Sequence, residues 1–395
     1  MSPPRGHYVD LSWDPVFDRA GGRQSKAARY EAFVPDPIGD YEPELISATG
    51  TLVERAGIAV RDLNADPEGL ISLEGLGRQL LRSEALASSQ IEGLNISHRK
   101  LAEAELSDRD GHFKAQEIVG NIRALELAIK IGAEAEELDV EAITAIHRAM
   151  ATVAPLDRIA GELRREASWI GGRTPIDAEF VGPPWERVHP LLEDLCEFMN
   201  RDDIPPVAQA AIAHAQFETI HPFGDGNGRV GRCLIQVIFR RRRLALRYVP
   251  PVSIVLGANK NAYISGLEGF RDDEVDGWVR QFARAVETAA DQARSFSAAV
   301  AELQESWRAK LGRVRSDAAV LPVIKLLPRF PVLTAAVAQN EIGRSRPVTI
   351  EALNRLESIG ALTRRRNQSK GDSWEAKELF ALVDQFETSM GAGAG

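Results

Sequence analysis

Residues 221–232, which read HPFGDGNGRVGR, contain the side chains of this sequence that are best placed to do chemistry. Within twelve residues there are one histidine, one aspartate, one asparagine, two arginines and four glycines. Residues 208–220 and 230–239 on either side carry apolar side chains at helical spacing, which predicts two helices joined by a loop. Glycines at this density let backbone N–H groups approach a ligand where a helix begins. The stretch therefore predicts an anion-binding site.

The residue types in this loop predict how a polyphosphate would be bound. A helix that starts at Gly226 or Asn227 directs its first N–H groups and the positive end of its dipole toward the loop. Gly226 and Gly228 leave that end accessible to phosphate oxygens. Arg229 and Arg232 are three residues apart, so they share one face of the helix and can bind successive phosphates.

Asp225 and His221 predict a reaction at the bound phosphate. A carboxylate at an anion site is explained if a hard cation such as Mg2+ bridges it to the phosphates. The nearby helix N-terminus disfavours a protonated His221, so its neutral imidazole can accept a proton from an attacking hydroxyl. This combination indicates a nucleotidyl transferase.

Other glycine-rich sites fit this stretch less well. A dinucleotide-binding fingerprint follows a strand, whereas a helical pattern and His-Pro-Phe precede these glycines. A P-loop requires Gly-Lys followed by Ser or Thr, and an EF-hand requires more acids at alternating positions. The Asp-Gly-Asn-Gly core alone could form a structural turn, but a turn needs neither the histidine nor the two arginines.

The stretch resembles the signature of the Fic (filamentation induced by cAMP) family, H-x-F-x-[D/E]-G-N-G-R-x-x-R, and matches it at every specified position. The similarity extends over roughly residues 40–290. It implies a mainly α-helical Fic core with a β-hairpin flap. It also implies an enzyme that transfers AMP from ATP to a Ser, Thr or Tyr hydroxyl of a protein and releases pyrophosphate.

The resemblance also implies roles for individual residues. His221 would be the general base, Asp225 the Mg2+ ligand and Arg232 the γ-phosphate contact, while Phe223 would anchor the loop in the core. The implied nucleotide-binding set comprises Phe223, Gly224, Asp225, Gly226, Asn227, Gly228, Arg229 and Arg232, with Asn259 and Tyr263 on the adenine side. Core packing is an alternative role for Tyr263.

The sequence before the loop contains a second non-helical segment. Two short β-prone runs, 167–170 and 179–181, lie around a glycine pair and predict a hairpin. In the Fic family a flap beside the nucleotide binds the target peptide by main-chain pairing, and Ile170, Gly171 and Gly172 resemble part of that flap. An ordinary surface hairpin is the alternative.

Residues Ser88–Gly93 resemble the inhibitory motif [S/T]-x-x-x-E-[G/N] that some Fic proteins carry on a helix before the core. The resemblance implies that Glu92 pairs with Arg232. Its carboxylate would then occupy the place of the γ-phosphate and repel it, so ATP would bind unproductively. The alternative is a solvated charge beside a glycine that ends a helix.

Changes in composition along the chain predict four segments. They are an N-terminal arm and helical region with the inhibitory motif at 1–110, the Fic core with its following helices at 111–312, a winged helix-turn-helix domain at 313–388, and a linker tail at 389–395. The first 40 residues hold five prolines and no hydrophobic period, which predicts an extended arm.

The C-terminal segment predicts three helices at 320–327, 333–338 and 348–359, followed by a hairpin of 361–366 and 373–379. This order is typical of a winged helix-turn-helix. Clustered arginines supply local positive charge, so DNA binding through 316–385 is one candidate function, and a protein contact is the other.

The composition limits the cellular context. The chain has 395 residues, 44% of them hydrophobic, which is enough for two or three domains. The net charge of -9 excludes a chain-wide basic field for nucleic acid or membranes, and no apolar run is long enough to span a bilayer. Two cysteines predict buried thiols in a reducing, cytoplasmic compartment. His147 and His214 are predicted to be core histidines with satisfied hydrogen bonds.

The sequence therefore predicts a protein AMPylator that uses ATP and Mg2+, modifies a target protein and itself, and is inhibited by Glu92. One alternative enzyme would remove AMP from a modified protein, with Glu92 positioning the attacking water. Another alternative is a DNA-binding regulator whose core no longer catalyses. The target, the nucleotide selectivity, and whether Glu92 acts within its chain or across a homodimer stay open.

Overall fold

The structure is a computed structural model that describes residues 6–13, 28–65, 73–105, 113–366 and 371–392. The predicted mainly α-helical class is confirmed, since most of these residues are helical. The helices are α1 (Ser47–Asn64), α2 (Leu73–Ile91), α3 (His98–Glu105), α4 (Phe113–Glu134), α5 (Val140–Met150), α6 (Trp185–Asn200), α7 (Pro206–Ile220), α8 (Asn227–Arg241), α9 (Val252–Ala258), α10 (Lys260–Arg271), α11 (Val275–Lys310), α12 (Val320–Leu326), α13 (Ala335–Ile342), α14 (Arg346–Ser358) and α15 (Lys377–Ala392).

Short strands in the described residues form three small antiparallel sheets. They are β1 (Gly6–Trp13), β2 (Ala28–Pro35), β3 (Trp169–Ile170), β4 (Phe180–Val181), β5 (Val332–Thr334), β6 (Thr363–Arg365) and β7 (Ser373–Glu375). β1 pairs with β2, β3 pairs with β4, and the third sheet has the order β5–β7–β6.

The chain divides into two compact units, and each consists of three separate stretches of sequence. The first unit comprises Met1–Glu54, Ala124–Arg242 and Asn261–Ala283. The second unit comprises Arg55–Arg123, Arg243–Lys260 and Arg284–Gly395.

The helices α7 and α8 form the core of the first unit. Residues 207–220 of α7 and 229–239 of α8 are all buried. A helix can be buried on every side, polar residues included, only where other elements surround it. One such contact comes from α11, where the Trp278 indole N–H donates to the Ala211 carbonyl at 2.7 Å. The two helix ends that meet at the 221–226 loop are therefore held by packing on all sides.

The N-terminal residues form a hairpin that the sequence analysis does not predict. β1 and β2 pair in register from Gly6 opposite Pro35 to Trp13 opposite Ala28, where we expected an arm without pairing. Val9, Leu11 and Trp13 of β1 do alternate with Asp10 and Ser12, so the expectation of no hydrophobic period is wrong for this strand. The pairing has no local signal, because β2 lies further along the chain and only its second half is buried. Residues 14–27 of the expected arm lie outside the described residues.

Two contacts in the second unit hold α2, one from α9 and one from the first residue of α10. The buried Glu84 carboxylate on α2 accepts a hydrogen bond from the Ser253 N–H at 2.9 Å and another from the Ser253 hydroxyl. The Lys260 ammonium donates to the carbonyl of Ile91, the last residue of α2, at 2.6 Å. The middle and the C-terminal end of α2 are thus both held within this unit.

The C-terminal part of the second unit contains α12, α13 and α14 followed by β6 and β7, in the predicted order. Two boundaries differ. Residues 332–334 form β5 instead of the first turn of a helix, because they pair with β7. α15 begins at Lys377, inside the predicted second strand of the hairpin, and it extends to Ala392, inside the predicted tail. The hairpin tip at 367–370 and residues 393–395 lie outside the described residues.

No helix in the part of the chain that the structure describes combines the length and the apolar character needed to cross a membrane. The predicted boundary between residues 110 and 111 lies outside the described residues. The four-segment division therefore stays a prediction.

Candidate active site

The backbone between α7 and α8 has a specific conformation at both ends. α7 ends at Ile220, and His221 follows with a left-handed φ of 50° while its N–H donates to the Phe217 carbonyl at 2.9 Å. α8 begins directly after Gly226, whose φ is 82°. A Cβ added at Gly226 would lie 2.3 Å from Met150 Cε. The left-handed φ favours glycine at this position, while a larger residue would also require the flexible end of Met150 to move.

Asn227 holds the loop in its closed shape. Its Oδ1 accepts from the Phe223 N–H and its Nδ2 donates to the Phe223 carbonyl, both at 2.8 Å. The Phe223 ring is fully buried and stacks on His147 with centroids 4.0 Å apart. Phe223 thus lies where the core-anchor role places it. Both side chains shape the loop, so a nucleotide contact at these two positions would use their backbone groups.

His147 supports the loop from α5. Its Nδ1 accepts from the Gly161 N–H at 2.9 Å, so Nε2 carries the proton and donates to the Asp225 carbonyl at 3.1 Å. Burial is the main reason that the pKa of His147 falls to about 4, with the nearby Arg229 also lowering it. The prediction of a buried, hydrogen-bonded His147 is confirmed, and its link to the loop is an additional finding.

The His221 ring is half-buried at the end of α7. Its Nδ1 lies 3.3 Å from the Glu218 carbonyl oxygen, which can only accept a hydrogen bond. Nδ1 therefore carries the proton in the neutral ring, and Nε2 is the basic nitrogen. A ring with this tautomer has its acceptor nitrogen at Nε2, which is compatible with a general base, and that role stays a prediction.

Asp225 is the exposed acid of the loop. Its side chain is 68% exposed, and Oδ1 accepts from the Gly226 N–H at 2.5 Å. Among the described residues, no group of three or more His, Cys, Asp or Glu side chains is arranged to hold a metal ion. A single exposed carboxylate nevertheless fits Mg2+, which binds proteins through one or two carboxylates and takes its other ligands from phosphate and water.

Arg229 and Arg232 lie on the first turns of α8. Their side chains are almost completely buried, with 3% and 1% exposure. Nη2 of Arg229 is 3.8 Å from Asp225 Oδ1. Gly224 is exposed and Gly228 is half-buried, so the loop backbone is accessible between these side chains. Two guanidinium groups and the N-terminus of α8 make the loop a positively charged site suited to phosphate.

The predicted hairpin is present as β3 and β4. Trp169 pairs with Val181 and Ile170 pairs with Phe180, and the Glu179 N–H donates to the Ile170 carbonyl at 2.9 Å. Ile170 is 41% exposed. Within the described residues no strand pairs with the other edge of β3, so an extended peptide could add there.

The turn of this hairpin is ordered by its own side chains. Gly171 and Gly172 have φ of 71° and 68°, which favours glycine at both positions. The Asp177 carboxylate accepts hydrogen bonds from the Thr174 hydroxyl and N–H and from the Arg173 N–H. These bonds, that of the Thr174 hydroxyl above all, lower the pKa of Asp177 to about 2.

Arg164 is a site residue that the sequence analysis misses. It is 8% exposed, and its guanidinium donates to the carbonyls of His221 at 2.7 Å, Glu166 at 2.8 Å, Pro183 at 2.7 Å and Ile220 at 3.3 Å. The only signal in the sequence is an arginine shortly before a hairpin, where a solvated charge is the usual explanation.

Two family models match this sequence in adjoining regions. The Fic/DOC family model matches residues 137–239, which contain the flap and the loop, and the Fic/DOC family N-terminal model matches residues 51–130. The chain carries a Fic domain. The predicted resemblance is therefore confirmed, and the loop at 221–232 lies within the matched region.

Curated relatives of the Fic domain are similar over part of this chain. Protein adenylyltransferase fic-1 of Caenorhabditis elegans is 29% identical over 155 residues, which are 38% of this chain and 28% of that protein. Protein adenylyltransferase Fic of Drosophila erecta is 30% identical over 159 residues, which are 39% of this chain and 29% of that protein. The similarity thus spans less than a third of each relative.

The fold is similar to that of a Fic family protein from Desulfovibrio desulfuricans G20. The crystal structure of that protein has a TM-score of 0.52 and 20% identity, and the match covers 85% of this chain and 98% of that one. This likeness confirms the Fic-type helical fold.

Tyr263 lies in the interior of the first unit. It is 3% exposed, and its hydroxyl is 2.7 Å from His214 Nε2, with the two rings stacked. The alternative role in core packing thus has direct support, while a contact with adenine stays a prediction. His214 is fully buried, as predicted, but only its Nε2 is hydrogen-bonded; among the described residues the buried Nδ1 has no hydrogen-bond partner, so the prediction of a fully satisfied histidine is wrong at that atom. Its pKa is lowered to about 3, mainly by burial and then by Arg232, so its 3.9 Å approach to Glu218 is not an ion pair.

Glu92 follows the last residue of α2 in the second unit. Gly93 has a φ of 81°, its N–H donates to the Gln90 carbonyl, and the Leu94 N–H donates to the Ser89 carbonyl, both at 2.9 Å. The motif therefore ends a helix in a left-handed glycine turn, and Glu92 is exposed there. Pairing of Glu92 with Arg232 of the Fic domain stays a prediction, as does the role of Asn259, which is exposed at the end of α9.

Proposed function

We propose that this protein transfers AMP from ATP to a Ser, Thr or Tyr hydroxyl of a target protein, and to itself, with release of pyrophosphate. The observation that carries the proposal is the complete Fic signature folded as a helix–loop–helix, with the Nδ1 proton of His221 directed to the Glu218 carbonyl. The names of the curated relatives, protein adenylyltransferases, support the same reaction.

The proposed mechanism divides the reaction among residues of the loop. Nε2 of His221 accepts the proton of the target hydroxyl, whose oxygen attacks the α-phosphorus of ATP. A new P–O bond forms to the target, the bond between the α-phosphorus and the pyrophosphate oxygen breaks, and pyrophosphate leaves. Arg229, Arg232 and the α8 N-terminus stabilise the phosphate charge during this displacement. Mg2+, held by Asp225 and the nucleotide, would neutralise part of the same charge.

The flap would present the target hydroxyl to His221. The accessible edge of β3 supports this role, because an extended peptide can pair its main chain with such an edge. Strand addition recognises backbone more than side chains, which suits an enzyme that accepts a hydroxyl within a protein chain.

We further propose that Glu92 inhibits the enzyme by pairing with Arg232. The support is the position of Glu92, exposed at the end of a helix that Lys260 and Glu84 hold in place. A carboxylate on Arg232 would compete with the γ-phosphate of ATP. Removal of AMP from a modified protein, with Glu92 positioning water, is the competing role for the same residue.

The test of both proposals uses labelled ATP and a cell lysate as the source of targets. We expect Glu92→Gly to raise transfer of label to protein at least about fivefold over the natural chain, as loss of a coupling of about 1 kcal/mol requires. Adding His221→Ala should reduce transfer by about 10²–10⁴-fold, the usual contribution of a general base. Gln90→Gly, on the same exposed helix end, is the matched control and should leave transfer unchanged.

Three outcomes would count against these proposals. Full transfer by the His221→Ala chain would remove the general-base role. A Glu92→Gly chain no more active than the natural one would remove the inhibitory role. If the protein releases AMP from a pre-modified target and Glu92→Gly abolishes that release, hydrolytic removal of AMP would be favoured instead.

We propose a protein contact, not DNA binding, for the winged-helix-like C-terminal part. The support is charge pairing, since Arg364 donates to Asp372 at 2.8 Å and Arg365 to Glu375 at 2.5 Å within the hairpin. Paired arginines have less capacity to neutralise DNA phosphates. A salt-sensitive gel shift of the full chain with duplex DNA at low salt would contradict this proposal.

A further inference from the structure

Arg164 connects two parts of the Fic domain that the proposed reaction must bring together. Its Nη1 and Nη2 donate to the carbonyls of Glu166 and Pro183, which flank the β3–β4 hairpin on either side. Its Nε donates to the His221 carbonyl. The Arg164 backbone N–H donates to the Pro222 carbonyl at 2.9 Å, the next residue of the loop. One buried residue thus bonds the base of the flap and the start of the signature loop.

The chemistry of the acceptors explains why a charged residue is buried here. The carbonyls of Ile220 and His221 are at the C-terminus of α7, where carbonyl groups lack intrahelical partners and the helix dipole is negative. A guanidinium offers five donors in a planar fork, which suits several carbonyls around one point. Burial lowers the pKa of Arg164 to about 10, so the side chain still carries its charge at neutral pH.

We propose that Arg164 is a positioning residue that sets the distance between the flap and His221. The proposal rests on the proposed AMP transfer, in which the flap holds the target and His221 deprotonates its hydroxyl. Because the guanidinium contacts neither the hydroxyl nor the phosphates in this assignment, its loss should impair the use of the target and leave ATP binding intact. A displacement of about 1 Å between reacting groups lowers rates by about 10²-fold.

The experiment compares Arg164→Gln and Arg164→Lys with Arg165→Gln and Arg165→Lys in full-length protein. Arg165 is exposed and adjacent, so the control changes the same residue type at the next position. For both Arg164 variants we expect kcat/KM for a protein target to fall at least about tenfold, while the Kd of a non-hydrolysable ATP analogue stays within about twofold. Lysine should not rescue activity, because an ammonium cannot reproduce the planar fork.

A second readout does not depend on activity. Hydrogen exchange of the peptides covering 166–183 and 220–226 should accelerate at least about tenfold in both Arg164 variants and stay unchanged in the Arg165 controls. The positioning role would be overturned if hydrogen exchange were unchanged in the Arg164 variants. It would also be overturned if kcat/KM for the target and the affinity for the ATP analogue fell by the same factor. Absence of AMP transfer in the parent chain and in Glu92→Gly would instead refute the proposed function, and exchange would still decide whether Arg164 joins the two segments.

Discussion

At the scale of single residues, the loop between α7 and α8 depends on side chains that do not take part in the proposed chemistry. Asn227 bonds both backbone groups of Phe223, and His147 bonds the Asp225 carbonyl while stacking on the Phe223 ring. Gly226 has a left-handed φ and lies against the flexible end of Met150. The signature is therefore as much a folding motif as a set of ligands, and substitutions in it should affect stability as well as catalysis.

Replacing Gly226 with Ala should destabilise the protein. The φ of 82° is unfavourable for an L-residue, and the flexible end of Met150 would have to move away from the added methyl group, so we expect a loss of about 1–2 kcal/mol in the free energy of unfolding. Gly224→Ala is the matched control, because its Cβ would meet Ile159 Cδ1 at 3.4 Å in ordinary contact. Urea unfolding measures both variants. A Gly226→Ala chain as stable as Gly224→Ala would show that the loop can relax.

At the scale of elements, two sets of hydrogen bonds position the secondary-structure elements that carry the proposed functional groups. Arg164 joins the flap to the end of α7, and a pair of contacts from α9 and from the start of α10 holds α2, which ends at the inhibitory motif. The buried Glu84 carboxylate is the more costly of these contacts to disturb, because it accepts two hydrogen bonds from Ser253. Inhibition through Glu92 would require such a fixed helix, since a mobile one could not direct a carboxylate.

Replacing Glu84 with Gln should loosen α2 against α9. The amide can still accept from the Ser253 N–H and donate to the Ser253 hydroxyl, but it replaces two hydrogen bonds to a buried carboxylate by weaker neutral ones, so we expect a loss of about 1–3 kcal/mol in unfolding free energy. Hydrogen exchange of the backbone amides of α2 should also be faster in the Glu84→Gln variant than in the natural protein. Glu302→Gln, at an exposed position of α11, is the control and should change stability by less than about 0.5 kcal/mol. Equal stability of the two variants would contradict the anchoring role.

At the scale of the whole molecule, charge inside the protein links stability to pH. His214 is fully buried, with Tyr263, Glu218, Trp278 and Arg232 as its nearest polar and aromatic neighbours, and its pKa falls to about 3. The unfolded chain, with an ordinary histidine pKa of about 6.5, binds this proton more strongly than the folded chain. The free energy of unfolding is therefore not reduced by His214 above about pH 6.5, and it decreases as the pH falls toward 3.

Replacing His214 with Gln should make stability less sensitive to acid. On going from pH 7.5 to pH 5.0, the free energy of unfolding of the natural protein should fall by about 2 kcal/mol because His214 stays neutral in the fold. The free energy of unfolding of the variant should fall by about 2 kcal/mol less over the same interval. Urea unfolding at the two pH values measures this difference. The exposed His189→Gln is the control and should retain the pH dependence of the natural protein. Identical pH dependence in all three chains would show that His214 does not contribute.

The helices, the hairpin flap and the loop at residues 221–232 could be predicted because each depends on local sequence. Apolar spacing determines α7 and α8, glycines determine the turns, and the signature names the chemistry without any knowledge of distant contacts. The β1–β2 hairpin and β5 were not predicted, since a strand also depends on a partner that the local sequence does not identify, and four of the eight residues of β1 are exposed.

The sequence by itself determined the identity of the candidate catalytic groups, whereas the tertiary structure decided which residues hold them. His221, Asp225, Arg229 and Arg232 stand within one short motif, so their types and spacing were sufficient. Arg164 is more than fifty residues before His221, and His147 is 78 residues before Asp225, so only folding brings them to the loop. Their hydrogen bonds go to backbone carbonyls, which every residue possesses, and no side-chain pattern in the sequence can indicate such partners.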